Sequence, residues 1–208
     1  MEALRLYGER LKKDVYVAVQ SLRYIAPFLQ KTTNLPMDYI QSQIVFLQSL
    51  SRDELMTLQS YTKYGDRVIN GVIRGTSIPT DVDRISGKQG LIVDYVREFV
   101  RIVSKAPALS SPLEVYRGQE SPIDTQIDRY DFVSTSRNSE TATIFGHYVN
   151  YITLQAGVRT LWIELVSFTP SESEILVVSP LRMKRGQQIN GHDFYVNGIP
   201  RKKGSARR

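Results

Sequence analysis

An α+β fold, with a helical first half followed by a β-rich second half, is what this sequence predicts, and three observations carry that expectation. In residues 1–107 apolar side chains recur every three to four positions, the spacing of one helix face. After Ala108 the texture changes to short runs of β-branched and aromatic residues separated by turn formers. The two textures are segregated and do not alternate, which favours α+β over a parallel α/β sheet. A chain of 208 residues, 41% hydrophobic and 23% charged, is long enough to bury a core. No apolar run approaches the roughly 20 residues of a membrane span.

The elements follow in order. Tyr7, Leu11, Val15, Ala18, Val19, Leu22, Ile25 and Leu29 share one helical face from Leu4 onward, with Gly8 the one weak point before Pro27. Thr32-Thr33-Asn34 and Pro36 mark a turn, and residues 37–50 form a second apolar helix. Ser51 with Glu54 three positions on is a capping box, opening a third helix with Leu55, Leu58 and Tyr61 on its apolar side. Residues 75–90 read as a loop and 91–103 as a further helix, ended by Pro107. Six strands are expected, over residues 113–116, 132–135, 148–154, 160–165, 174–178 and 192–196. The organisation is that of one domain over residues 1–200, mainly helical in 1–107 and β-rich in 108–200.

Charge and composition exclude several chemistries. Five of the 27 basic residues, Arg201, Lys202, Lys203, Arg207 and Arg208, crowd the last eight positions, so residues 201–208 form a basic tail and the rest is nearly balanced. Such a tail is a solvated, disordered end or a contact for phosphates, and nucleic acid enters as a possible partner only through it. The absence of cysteine excludes disulfides, thiolate metal sites and a cysteine nucleophile. With only His147 and His192, a multi-histidine metal site is excluded, and no metal is expected. Ser86-Gly87-Lys88-Gln89 lacks the glycine and hydroxyl positions of a phosphate loop. The amino terminus has no apolar leader segment, so a cytoplasmic chain without a membrane partner is the expectation.

Three motifs at strand ends remain. Val115-Tyr116-Arg117-Gly118 delivers an arginine, whose planar fork of donors can hold a phosphate, followed by a glycine that permits close backbone approach. Phe132-Val133-Ser134-Thr135-Ser136 ends a strand in consecutive hydroxyls and leads into a short helix at 139–145. Hydroxyls there can bond a ribose and orient a carboxylate, or simply cap that helix. The third motif is Pro170-Ser171-Glu172-Ser173-Glu174, where two glutamates stand at i and i+2. Strand periodicity would send both carboxylates to one face, an arrangement that is either a solvated edge or a functional pair.

Together, in this order and spacing, the arginine, Ser-Thr-Ser and Glu-x-Glu motifs resemble the signature of mono-ADP-ribosyltransferases. The resemblance extends to Ala142 and Phe145 in the helix after the hydroxyl strand, and to Tyr61-Thr62 with Ile69-Asn70 through Arg74-Gly75, similar to the upstream helical motif of bacterial binary-toxin enzymes. It departs at Asp66, where those toxins carry a second aromatic, and it runs from about Leu55 to Val178.

The resemblance implies two mainly antiparallel sheets enclosing an NAD cleft, with NAD as substrate and nicotinamide released. By the same analogy Glu174 stabilises the ribose cation, Glu172 binds the attacking guanidinium, Ser134 orients Glu174, and Thr135 and Ser136 support the pocket wall. Arg117 grips the NAD phosphates, Gly118 meets the nicotinamide amide, Phe145 stacks on nicotinamide, and Tyr61 and Asn70 contact NAD. Glutamate rather than glutamine at position 172 implies an arginine acceptor on a target protein, as for a toxin or phage effector acting in host cytoplasm. Two further readings are an NAD glycohydrolase or nucleic-acid modifier, and an inactive interaction module. Retention of every charged member of the signature speaks against the last.

Overall fold

The computed structural model describes residues 2–76, 89–178, 180–189 and 193–200. Most of the loop expected over 75–90, His192 and the basic tail lie outside the described residues. The fold is α+β, and it divides into two compact units. The first takes the chain up to Pro107 together with Leu161–Pro170, and the second takes Ala108–Thr160 and the chain from Ser171 onward.

In the first unit the long periodic face is divided between α1 (Glu2–Lys13) and α2 (Val15–Thr33). The break is Asp14, whose extended backbone stops one helix while its carboxylate accepts the Tyr16 and Val17 amides at 2.9 and 3.2 Å to start the next. A single non-helical residue barely disturbs the apolar spacing, so periodicity alone could not reveal it. Pro27 lies inside α2 on its exposed side, where solvent can serve the Arg23 carbonyl that loses its helical partner. Asn34, in the left-handed conformation, closes the helix.

Then come α3 (Met37–Gln48) and α4 (Arg52–Ser60), the latter opened by the expected box: Ser51 Oγ accepts the Glu54 amide and Glu54 accepts the Ser51 amide at 2.8 Å. A π turn, Tyr61–Gly65, joins α4 to α5 (Asp66–Arg74), and α6 (Gln89–Val103) completes the helices of this unit.

The segment 161–170 of this unit departs from expectation. A strand was expected over 160–165, yet the chain is extended only at β5 (Thr160–Leu161) and then winds into a 3-10 turn, Ile163–Val166. Trp162 explains the change. Its side chain is fully buried and stacked near Tyr39, its amide donates to the buried Gln43 Oε1 at 2.9 Å, and its indole N–H donates to Glu164. The Tyr7 hydroxyl donates to the Leu165 carbonyl, and burial, with Glu164 nearby, pushes the phenol pKa up. An apolar run buried on all sides looks the same in sequence whether it is a strand or a tight helical turn.

The second unit carries a sheet with strand order β2-β7-β8-β4-β1-β3-β6-β5. Its further strands are β1 (Leu113–Gln119), β2 (Gln126–Arg129), β3 (Val133–Ser136), β4 (Tyr148–Leu154), β6 (Glu174–Val177), β7 (Leu181–Gln188) and β8 (Phe194–Pro200). Two sheets were expected, and the pairing instead runs through one eight-stranded series, joined between β1 and β3 by the single pair Tyr116↔Ser136. Of the pairs with described register, β4 with β8 is parallel and the rest are antiparallel. The strands β2 and β7 escape sequence reading because their polar residues break the alternation: β7 buries Leu181 and Met183 but is partly or fully exposed beyond them.

The capping box predicts a measurable pH effect. The Ser51 amide, then Arg101 and Ser51 Oγ, hold the Glu54 carboxyl below the usual range against the opposing effect of burial. A depressed folded-state pKa contributes stability in full above the unfolded carboxylate value of about 4.3, and that contribution is lost as pH falls through the folded value. Ser51→Ala should cost about 1 kcal/mol in urea unfolding at pH 7. Glu54→Gln should flatten the acid limb of the stability curve, and a limb identical to wild type would show that the box contributes nothing there.

Candidate active site

The three motifs lie on neighbouring strands of the second unit. Arg117 is on β1, the hydroxyl triplet closes β3, and Glu174 opens β6, and these strands are consecutive in the sheet. Their register is explicit: Tyr116 pairs with Ser136, and Ser136 with Glu174. Two strand spacings separate the outer members of that row, roughly 10 Å between backbones. The Arg117 side chain bridges part of this span, Nη1 donating to the Ser134 carbonyl at 2.5 Å.

The hydroxyls divide their work along β3. Thr135, buried, donates to the Ile175 carbonyl at 2.5 Å and so adds a side-chain bond to the β3–β6 ladder. Ser136, 3% exposed, accepts the Asn138 amide at 3.1 Å and donates to the Glu172 carbonyl at 3.1 Å. The Arg137 amide donates to the Ser173 carbonyl at 3.0 Å, so two consecutive residues of β3 and its exit hold two consecutive carbonyls of the glutamate motif. Ser134 pairs with Leu176 in register, whereas the cross-strand partner of Glu174 is Ser136. The sequence reading passed over this anchoring role of Ser136. A serine followed two positions on by an asparagine before a helix was the available signal, since both residues capture local amides.

The two glutamates do not share a strand. Glu172 ends a 3-10 turn, Pro170–Glu172, and β6 begins at Glu174. Between them Ser173 has φ +52°, a left-handed conformation that costs a non-glycine residue about 1 kcal/mol. The expectation that strand periodicity sends both carboxylates to one face is therefore corrected, because strand alternation does not extend back past Glu174. Ser173 is buried and its carbonyl is held by the Arg137 amide, which stabilises the unusual backbone.

Gly118 is required by the chain's own backbone. A Cβ there would stand 1.9 Å from the Ala142 carbonyl oxygen, and one on Gly146 would stand 2.2 Å from the Gln119 carbonyl carbon. The hook formed by α7 (Ser139–Ala142), capped by the Asn138 side chain, and the following turn Thr143–Phe145 thus closes directly on β1. Ala142 is buried, while Phe145 is half exposed on that turn, a position from which an aromatic face is accessible. Beneath Arg117 the fully buried Asn150 pairs with it across β1 and β4 and donates to the Arg117 carbonyl at 3.3 Å. A polar residue among the apolar positions of β4 is the signal of this role that the sequence carries.

The remaining predicted residues belong to the helical unit. Tyr61, 2% exposed, stacks on Phe99 with ring centroids 4.6 Å apart, and Asn70 is buried in α5, so both have core packing roles there. His147 is exposed beside Glu120 at 3.1 Å. Among the described residues no cluster of three or more His, Asp or Glu side chains is placed to hold a metal ion, and no helix is long and apolar enough to cross a membrane.

Comparison with solved structures shows that the chain has the ADP-ribosyltransferase fold. Plx2a, an ADP-ribosyltransferase toxin from Paenibacillus larvae, is similar at TM-score 0.58 and 14% identity, over 78% of this chain and 92% of its own. C3stau2 from S. aureus, solved with NAD, is similar at TM-score 0.57 and 14% identity, over 81% of this chain and 97% of its own. The ADP-ribosyltransferase Vis in complex with agmatine is similar at TM-score 0.54 and 16% identity, over 86% of this chain and 88% of its own. No family model matches the sequence, and no curated protein matches it.

Two substitutions test this architecture. Gly118→Ala should destabilise the protein by about 1–3 kcal/mol, since the colliding atom is backbone and cannot swing aside; an unchanged melting temperature would contradict the packing described. Ser136→Ala should cost about 1 kcal/mol, because it removes the partner of a part-buried amide and of a part-buried carbonyl at once. Faster proteolytic cleavage near Glu172 should accompany it.

Proposed function

We propose that this chain transfers ADP-ribose from NAD to arginine side chains of a target protein and releases nicotinamide. The observation that carries the reading is the run of consecutive strands β1, β3 and β6, which bear a guanidinium, a hydroxyl triplet and the Glu174 carboxylate, with Glu172 on the turn just before β6, in a fold shared with an ADP-ribosyltransferase toxin. A strand-borne arginine oriented by the Ser134 carbonyl suits the NAD diphosphate, which it would meet with a planar donor fork.

Cleavage of the nicotinamide–ribose bond leaves positive charge on the ribose ring, and the nicotinamide departs with the bonding electron pair. A carboxylate fixed at the start of β6 would meet that charge only as it develops, which is the condition for lowering a barrier. Glu174 takes this role, with Ser134 and Ser136 as the hydroxyls on its side of β3. The Gly118 backbone and the Phe145 ring would hold nicotinamide, Thr135 would maintain the β3–β6 wall, and Tyr61 and Asn70 are assigned to NAD by motif alone.

Glu172 would hold the incoming guanidinium and accept the proton it loses as the new C–N bond forms. Support for an arginine acceptor is the glutamate at this position together with the likeness to Vis, solved with agmatine, a guanidinium compound. The likeness to a toxin supports an effector role, and action in the cytoplasm of the modified cell belongs to the proposal.

Incubation with labelled NAD and agmatine, followed by measurement of both nicotinamide release and labelled agmatine, tests the reading. Glu174→Gln should reduce both about 10²- to 10³-fold. Glu172→Gln should abolish transfer to agmatine while leaving most hydrolysis of NAD. Nicotinamide release by wild type without any labelled guanidine or protein would identify an NAD glycohydrolase instead, and no release at all would reject the enzymatic reading.

A further inference from the structure

Arg117 is held from both of its neighbouring strands, since β1 lies between β4 and β3 in the sheet. On the β3 side the Ser134 carbonyl accepts from the tip of its side chain. On the β4 side Asn150 Nδ2 donates to the Arg117 main-chain carbonyl at 3.3 Å and so fixes the root. A carbonyl can only accept, which decides how the Asn150 amide is turned: nitrogen toward Arg117, Oδ1 away from that carbonyl. This Oδ1 is buried, and among the described residues it has no hydrogen-bond partner.

Packing gives no reason for such a residue. Asn150 is fully buried beside Val149, its register partner on β8 is the buried Phe194, and Ile152 follows on the same face of β4. An orphaned acceptor in that setting costs stability that an apolar side chain would not. Nor does strand pairing require the extra bond, because seven residue pairs already join β1 to β4. The bond falls where the main chain of β1 changes partners. One residue before Arg117, Tyr116 makes the single pair with β3, and one residue after it Gly118 is pressed against the Ala142 carbonyl. We propose that Asn150 is a positioning residue for Arg117, fixing the main chain from which the guanidinium reaches the NAD diphosphate. This rests on the transferase reading above, and all of the residues involved belong to the second unit. The unpaired Oδ1 is then the stability lost in keeping an amide where its nitrogen is needed.

ADP-ribose keeps the diphosphate and lacks nicotinamide, so calorimetric titration of the full chain with it reads the Arg117 contact without catalysis. Asn150→Val should weaken ADP-ribose binding about three- to ten-fold, the scale of one hydrogen bond, and raise the KM for NAD by the same factor. The KM for agmatine and the inhibition by nicotinamide, neither of which carries a phosphate, should stay at wild-type values. The melting temperature should rise or fall by no more than about 4 °C, because losing the bond is offset by removing the unpaired acceptor. Asn150→Asp keeps the shape but loses the N–H donor, and should weaken ADP-ribose at least as much. Ile152→Val is the control: fully buried two positions along and paired with Val115, it should lower the melting temperature and leave ADP-ribose affinity unchanged.

Wild-type ADP-ribose affinity in Asn150→Val overturns the positioning role. So does an Asn150→Val protein that fails to fold, or one that weakens ADP-ribose, agmatine and nicotinamide equally, since Asn150 would then serve the structure as a whole. If Ile152→Val weakens ADP-ribose as much, packing accounts for the effect and the role falls. A wild-type chain that releases no nicotinamide overturns the transferase reading before any variant is made, and the role that rests on it falls with it.

Discussion

The four residues of β3 impose the constraint on which the candidate site depends. Arg117 and Glu174 sit on strands that do not pair with each other, and both are placed through β3: one by the single pair Tyr116↔Ser136, the other by a ladder of four pairs. Ser136 belongs to both. Its buried hydroxyl also holds the Asn138 amide, which starts the hook over β1, and the Glu172 carbonyl, which ends the glutamate turn. The serine side chain is itself buried and both bonds are at least partly removed from water, so losing them would leave polar groups less well partnered. A short strand therefore determines where a cation, a carboxylate and two loops lie relative to one another.

Around this hub the backbone accepts local strain in return for placement. Ser173 stands in the left-handed region without being glycine, and it separates a carboxylate on a 3-10 turn from one on a strand. Two carboxylates in consecutive same-face positions of one strand would have to move together. Divided by Ser173, they are held in different ways: Glu174 by the β3–β6 ladder, and Glu172 on a 3-10 turn whose last carbonyl accepts from Ser136. Gly118 and Gly146 meet a comparable demand where the hook closes on β1 and two stretches of backbone come too close for any side chain.

How much of this was legible in the sequence depended on whether the signal was local. The capping box at Ser51 and Glu54 was readable because both partners lie within one helical turn. The strand at 148–154 was readable because its residues alternate between buried and partly exposed positions along most of its length. Asp14 was missed because one residue out of helix leaves the apolar spacing nearly intact, and β7 because its exposed half carries polar residues on both faces. The run at Trp162 was misread as strand because its burial comes from Tyr39, Gln43 and Tyr7, more than a hundred positions away. The residues of the signature were recognisable as a set, but the anchoring role of Ser136 was not, since it acts on a backbone group distant in sequence.

By itself, then, the amino-acid order determined the α+β class, most helices and strands, and the identity of the charged and hydroxyl groups gathered at the candidate site, because spacing and side-chain chemistry are properties of short stretches. Only the tertiary structure decided that the strands form one paired series, that Gly118 makes room for the chain's own Ala142, and that the two glutamates stand on different backbone elements. Those outcomes depend on which distant carbonyls and amides meet, and the pairing of distant groups is settled by the packing of the whole chain and not by any window of its sequence.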